Sequence, residues 1–397
     1  MAASSRPDSE SKSSIIASVD SPDVVVIGAG VCGLGIAWRL RRRGLSVTVL
    51  DRGPVGAGAS RVAGGMLAAC AEAEPGEEAL VRLGRHAQSL WPAFAAELEA
   101  TTGQSLGLRR EGTLVLALTA DDRARLTHHH AFQQSLGLPL DWLSASELRR
   151  REPHLAPGIG GAVFSPEDHQ VDSGALVDAL AAAAEAAGAV LRPHAPVAAI
   201  MVENGRAVGV RLDDGTTIPA GTVVLAAGAW SRGIAGVPTE ARPPVRPIKG
   251  QVITLGMDSR APLLNHVVWA PGCYLVPRHD GRLLVGATVE EKGFDTAITA
   301  GGVLSLIEAA WRVLPGIEEL PILATTVGHR PGSRDDAPIL GPSMVPGLVY
   351  ATGHHRNGIL LAPVTAEAIA ALVAGEGIDP AIAGFGIARF AAPAAAA

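Results

Sequence analysis

The sequence predicts an α/β protein in which a doubly wound nucleotide-binding domain, discontinuous in sequence, carries a second domain built on an antiparallel sheet. Three observations predict this. A strand, glycine turn, helix and second strand open the chain between Asp23 and Leu50. From Val245 to Val289 the pattern changes to short strands with Gly and Pro at the breaks. The last third then returns to alternating strand and helix, so the first domain resumes after the second.

The β-branched run Asp23–Ile27 suits a buried strand, Ala37–Arg43 continues as helix, and Ser46–Leu50 is the second strand of the unit. Glu77–Thr101 repeats Leu80, Leu83, Ala87, Leu90 and Phe94 at spacings of three and four, the period of an amphipathic helix. Gly112–Leu118 reads as a strand and Ala120–Gly137 as a helix. Asp172 suits the N-cap of the alanine-rich helix Gly174–Ala187, because its carboxylate can accept from the unpaired amides of the first turn. Short strands follow at Ala189–Arg192, Val197–Glu203, Ala207–Leu212 and Thr222–Ala226. Glu203-Asn204-Gly205 and Asp213-Asp214-Gly215 mark turns between them. Strands Gln251–Leu255, Gly272–Pro277 and Arg282–Ala287 precede a helix over Gly302–Leu314. Strand Leu348–Thr352, a glycine turn and a helix through Ala366–Ala374 complete the pattern; Pro363 either kinks that helix or sits in its first turn.

Composition narrows the function. The 397 residues suffice for two domains, and 48% are hydrophobic but only 4% aromatic, so aliphatic packing should dominate the core. A net charge of −6 provides no global basic surface, so no nucleic-acid partner is expected. The three cysteines Cys32, Cys70 and Cys273 form no CxxC, which points to a reducing compartment rather than a disulfide frame or zinc site. The apolar runs Ala181–Leu191 and Gly358–Ala374 are interrupted by Glu185, and by Pro363 and Glu367. They fall short of the roughly 20 clean residues that a bilayer requires. The first 22 residues are rich in Ser, Asp and Lys and lack an apolar core, as in a disordered tail. The expectation is a cytoplasmic protein without a membrane partner. His128–His130 lacks acidic or cysteine partners at ligand spacing, so no metal is expected.

Gly28-Ala29-Gly30-Val31-Cys32-Gly33 follows the first strand, and Asp51 ends the second. In such a turn Gly28 permits the reversal, Gly30 lets the backbone approach a pyrophosphate, and Gly33 lets helix and strand pack closely. The phosphates then lie at the positive end of the helix dipole, and Asp51 can accept from a ribose diol. NAD and FAD both use this fingerprint. The strand Val223-Val224-Leu225-Ala226 running into Ala227-Gly228 suits a second close backbone pass beside a flavin, and equally an ordinary buried strand meeting a glycine turn.

Further segments carry a resemblance. They are Asp51-Arg52-Gly53 through Gly58–Leu67, then Gly272–Arg278 with Gly286–Val289, and His329–Asp335 with Gly353–Pro363. With the fingerprint, they resemble the FAD-dependent glycine/D-amino-acid oxidase family from about Asp23 to Ala374. The resemblance implies a glutathione-reductase-type FAD-binding domain over residues 23–85, 155–240 and 328–380, and a substrate domain over 86–154 and 241–327. Tails would occupy 1–22 and 381–397. It implies FAD contacts at Gly28, Gly30, Val31, Cys32, Gly33, Asp51, Arg52, Ala59, Ser60, Gly64, Gly65, Met66 and Val197, and along His354, His355, Arg356, Asn357, Gly358, Ile359 and Leu360. It further implies a substrate-carboxylate arginine at Arg330, a companion hydroxyl at Tyr274 and a second arginine at Arg356 beside the substrate.

No catalytic side chain is implied, because the flavin carries the redox chemistry. Arg330 reads as lying in a turn bounded by glycine and proline. Gly272 and Val289 stand where some members carry histidine and methionine. The family implies oxidation of glycine, sarcosine or a small D-amino acid by molecular oxygen, with the imine available to thiazole synthase for thiamine. It also implies a homo-oligomer. A dehydrogenase using another electron acceptor remains the alternative.

Overall fold

The computed structural model describes residues 21–391. The tail expected over 1–22 therefore lies almost wholly outside the described residues. Two large sheets organise the chain. The first has six strands in the order Ile339–Pro342, Leu348–Thr352, Thr222–Leu225, Val24–Ile27, Val47–Leu50 and Val190–Arg192. The last five pair in parallel, while Ile339–Pro342 runs antiparallel at the edge. Its strands come from three distant parts of the sequence, as expected for an interrupted domain.

Both faces of this sheet are buried. Val24 and Val26 face one core, and Val25 and Ile27 face another, which is why the strand reads as an unbroken β-branched run rather than an alternation. Helix Val31–Arg42 packs in the first core beside Ser173–Ala186 and Ala362–Val373. Asp172 caps Ser173–Ala186 by accepting from the Gly174 and Ala175 amides at 2.9 and 3.1 Å. Pro363 lies in the first turn of Ala362–Val373, where its missing amide would have had no helical partner, and it kinks nothing. The Glu203–Arg206 hairpin turns through Asn204 and Gly205, both with positive φ, the conformation that a tight two-residue hairpin turn requires.

The second sheet has eight strands, in the order Ile322–Gly332, Arg246–Gly256, Arg282–Gly286, Cys273–Pro277, Val267–Ala270, Thr113–Leu116, Gly161–Ser165 and Asp141–Ser144. It is antiparallel except where Val267–Ala270 meets Thr113–Leu116. That parallel step joins two parts of the chain separated by a long excursion through the nucleotide domain. Leu255, Leu275, Leu283 and Val285 turn to a core beneath helix Ala300–Val313, while Tyr274, Val276 and Leu284 turn to the opposite face.

Four expectations need correction. Arg330 lies in the eleven-residue strand Ile322–Gly332, not in a turn; its glycines and proline are tolerated because this is an edge strand with one partner. Gly161–Ser165 belongs to the eight-stranded sheet although its segment was assigned to the FAD domain. Conversely, helix Glu78–Thr102 buries Trp91, Phe94 and Leu98 in the nucleotide-domain core. Residues 381–391 are not a loose tail: Ile382 and Phe385 are buried in that same core, and Arg389 Nε donates to Asp335 at 2.8 Å. Among the described residues no helix is long and apolar enough to cross a membrane.

Candidate active site

The glycine turn stands where the strand order reverses, with Val24–Ile27 pairing Val47–Leu50 on one side and Thr222–Leu225 on the other. In open α/β sheets this switch point is where ligands bind. Gly28 has φ +107°, and a Cβ there would lie 2.4 Å from the Ala226 carbonyl oxygen. The end of strand Thr222–Leu225 thus passes close against the glycine turn, and Ala226, Ala227 and Gly228 line the same cavity. A Cβ on Gly33 would lie 1.9 Å from the Gly28 oxygen, so helix and strand touch as the fingerprint requires. Asp51 accepts from the Ala29 amide at 2.8 Å through one oxygen and from the Gly53 amide at 2.9 Å through the other. Ser60 Oγ accepts from the Val31 amide at 3.1 Å. The Arg52 guanidinium lies 5.0 Å over the ring of Trp230, itself stacked on Phe294.

Across the cavity, Arg330 has no carboxylate partner among the described residues. Its Nη1 donates to the Thr288 carbonyl at 3.1 Å, and its charge acts on the nearby Tyr274 hydroxyl. Burial raises the Tyr274 pKa, against the opposing pull of Arg330, so the phenol stays protonated at neutral pH. Arg330 pairs in register with Ile248, and its guanidinium lies over Gly250. A Cβ there would come within 2.6 Å of Arg330 Nη1. Gly250→Ala is therefore expected to displace the guanidinium and raise KM for a carboxylate substrate about tenfold or more, with a smaller change in melting temperature. Steady-state kinetics beside thermal unfolding check this; an unchanged KM would refute the packing argument.

The third wall is the turn after strand Leu348–Thr352. Burial pushes the His354 pKa down to about 4 and the Cys32 thiol up to about 12, so both are neutral. His354 Nε2 lies 3.5 Å from Cys32 Sγ and 3.0 Å from Thr365 Oγ1. His355 is pushed to about 4 by burial, although Asp336 pulls the other way. The Ile359 and Leu360 amides find no acceptor among the described residues. Arg356 departs from its expected role. Its Nη2 donates to Glu77 Oε2 at 2.5 Å, and its Nε lies 2.9 Å from Glu72 Oε2. That guanidinium is already committed, and it braces the turn rather than waiting for a substrate carboxylate.

These walls enclose a cavity of about 1090 Å³. Gly28, Gly30, Val31, Cys32, Asp51 and Arg52 line one part, and Ala59, Ser60, Gly64, Met66 and Val197 the next. Tyr274 and Arg330 face His354, His355, Arg356, Gly358 and Ile359, with Gly272 and Val289 also on the lining. Gly33, Gly65, Asn357 and Leu360 are not on the lining. Gly33 and Gly65 shape the backbone behind it, Asn357 is buried, and the Leu360 carbonyl accepts from Trp91 Nε1 at 2.9 Å. Sequence reasoning missed Glu72, Trp230 and Gly250, which line this cavity, and the Thr288 carbonyl that holds Arg330. None of them carried a usable signal: Glu72 is one of four glutamates between Ala71 and Ala79.

The cavity is large enough for a dinucleotide and a small substrate together, and its glycine turn and unpaired amides fit a pyrophosphate and a flavin ring. The model of the FAD dependent oxidoreductase family matches residues 23–372. The chain belongs to that family. Its cofactor is FAD. The chain is 38% identical over 355 residues to the glycine oxidase of Geobacillus kaustophilus (strain HTA426), covering 88% of this chain and 92% of the relative. It is 37% identical to the bifunctional protein ThiO/ThiG of Trichormus variabilis, covering 93% of this chain but only 55% of that longer protein. The crystal structure of glycine oxidase from Geobacillus kaustophilus superposes with a TM-score of 0.86 at 37% identity, covering 94% of this chain and 99% of the other. The discontinuous nucleotide domain and the substrate sheet above it are thus the family's architecture.

Proposed function

We propose that this flavoenzyme oxidises glycine, and other small amines such as sarcosine or small D-amino acids, to the imine. Water hydrolyses the imine to glyoxylate and ammonia, oxygen is reduced to hydrogen peroxide, and part of the iminoglycine supplies the thiazole of thiamine. The observation that carries the reading is Arg330, a guanidinium without a carboxylate partner beside the Tyr274 hydroxyl in a flavin-sized cavity. The likeness to glycine oxidase and to the ThiO half of a ThiO/ThiG fusion supports both the substrate and a thiazole synthase as receiver of the imine.

FAD, when bound, accepts the hydride equivalent released from the substrate α-carbon. The protein's own share is placement. The planar fork of Arg330 binds a carboxylate through two parallel hydrogen bonds, which fix its direction as well as its position. Tyr274, protonated at neutral pH, adds a third hydrogen bond. The Gly28–Gly33 turn, Asp51, Arg52 and Ser60 would hold the adenosine and phosphate end of the cofactor. The amide of Ile359, on the lining and without an acceptor among the described residues, would donate to the flavin and stabilise negative charge on it.

Peroxide release from the FAD-loaded protein, measured against glycine, sarcosine and a panel of D-amino acids, tests the reading. Glycine-dependent peroxide is expected. Flavin bleaching by the substrate in air without peroxide would instead favour a dehydrogenase that passes electrons to another acceptor. No response to any amine would overturn the proposal.

A further inference from the structure

The substrate of such an enzyme arrives as a zwitterion, and a hydride leaves its α-carbon only when the nitrogen lone pair is free. The groups assigned so far bind the carboxylate and leave the ammonium unmatched. Glu72 lies on the cavity lining at the end of a segment without regular secondary structure. That segment is rigidly held. Asp168, fully buried, accepts from the Cys70 amide at 3.0 Å and from the Ala71 amide at 2.6 Å. Gln133 donates to the Cys70 carbonyl at 3.0 Å, and Gln88 donates to Asp168 at 2.9 Å. Such a frame is more than a surface loop needs. Its effect is to fix where the next side chain points.

The Glu72 carboxylate is charge-compensated but not hydrogen-bond saturated. Oε2 is buried 2.9 Å from Arg356 Nε, while Oε1 is the accessible oxygen and has no hydrogen-bond partner among the described residues. Arg356 also meets Glu77, so the trio carries one net negative charge when both acids are ionised. Its field reaches the Tyr274 hydroxyl, which Glu72 pushes up while Arg330 pulls it down. The cavity therefore presents an uncompensated cation at Arg330 and a net anion at Glu72, the polarity of an amino-acid zwitterion.

We propose that Glu72 is the amine-side recognition residue and the proton acceptor of this site. The proposal rests on the amine-oxidase reading above. The substrate carboxylate lies on Arg330 and its ammonium on Glu72 Oε1. One N–H bond breaks, an O–H bond forms on Glu72, and the electron pair stays on nitrogen. The step yields the neutral amine and a protonated Glu72 without any change of oxidation state.

The groups facing Glu72 are Arg356 from the His355–Asn357 turn, Glu77 from the head of helix Glu78–Thr102, Asp168 from before His169–Gln170, and Tyr274 from its strand. Burial pushes the Glu72 pKa up to about 7, with Arg356 opposing and Asp168 and Glu77 reinforcing. A carboxyl so placed is largely ionised just above neutrality and holds a proton just below it, as a proton acceptor working near pH 7 should.

The test is Glu72→Gln in the FAD-loaded enzyme, with wild type as reference. For wild type, kcat/KM for glycine is expected to fall about tenfold per pH unit below about pH 7. In Glu72→Gln that limb should vanish and the plateau should drop at least thirtyfold. Affinity for glycolate, a carboxylate with no amine, read from the flavin absorbance change, should stay within twofold. Infrared difference spectra of the flavin-free chain give a readout independent of turnover. A protonated carboxyl band should disappear on raising the pH through about 7 in wild type and be missing from Glu72→Gln. If Glu72→Gln does not fold, Glu72→Asp, which withdraws the carboxylate by one methylene, should lower kcat/KM for glycine more than affinity for glycolate.

A variant that keeps the wild-type pH limb, loses glycine and glycolate equally, or shows its only limb at glycine's own amine ionisation would overturn the proposal. A wild-type enzyme that oxidises no amine would instead overturn the functional reading beneath it.

Discussion

Replacing Arg330 with alanine is expected to lower kcat/KM for glycine by roughly 30- to 4,000-fold. That corresponds to about 2–5 kcal/mol for truncating one partner of a hydrogen-bonded charge pair in a desolvated site. The size follows from the surroundings. The only hydrogen bond of the Arg330 side chain among the described residues is to the Thr288 carbonyl, and no carboxylate within them offsets its charge. For the same reason the melting temperature should move by only a few degrees, since no ion pair is broken. Arg330→Lys should fall between wild type and alanine, because it keeps the charge but loses the planar fork. Steady-state kinetics with thermal unfolding on the same samples check both statements. An alanine variant with undiminished kcat/KM would remove the basis for assigning a carboxylate substrate.

Gly33→Ala should act on the cofactor rather than the substrate. The added Cβ would sit 1.9 Å from the Gly28 carbonyl oxygen, a backbone atom that cannot swing aside. Helix Val31–Arg42 must then move away from strand Val24–Ile27, taking with it the first-turn amides and the contact between Val31 and Ser60. Overpacking of this kind costs about 1–3 kcal/mol, occasionally more, and here it also dismantles the phosphate cradle. The expected result is a purified protein with little or no flavin absorbance and a lowered melting temperature that added FAD restores only in part. Flavin content and melting temperature equal to wild type would show that helix and strand are not packed as closely as the geometry requires.

How far each residue could be read from sequence depends on how local its physics is. The turn at Gly28, the cap at Asp172 and the hairpin at Asn204-Gly205 are decided by neighbours a few residues away. All three stand where the sequence reading put them. Arg330 was recognised by its motif but assigned to a turn, because glycine and proline weaken a strand pattern and only the pairing with Arg246–Gly256 makes it a strand. Arg356 was read as a substrate contact because its motif is visible, whereas its ion partners Glu72 and Glu77 lie nearly 300 residues earlier in the chain. Glu72 itself went unnoticed, since nothing in the sequence sets it apart from Glu74, Glu77 and Glu78 just after it.

By itself the sequence determined the doubly wound nucleotide domain, its interruption by a second sheet domain and the dinucleotide turn, and its resemblance to a family singled out Arg330. These rest on local backbone chemistry and on motifs a few residues long. Only the tertiary structure decided which arginine is free and which is paired. It also decided that Gly250 makes room for one guanidinium and that a buried frame holds the segment that brings Glu72 to the cavity lining. Charge compensation and burial are properties of where distant segments meet, and that meeting is fixed by packing rather than by any one stretch of chain.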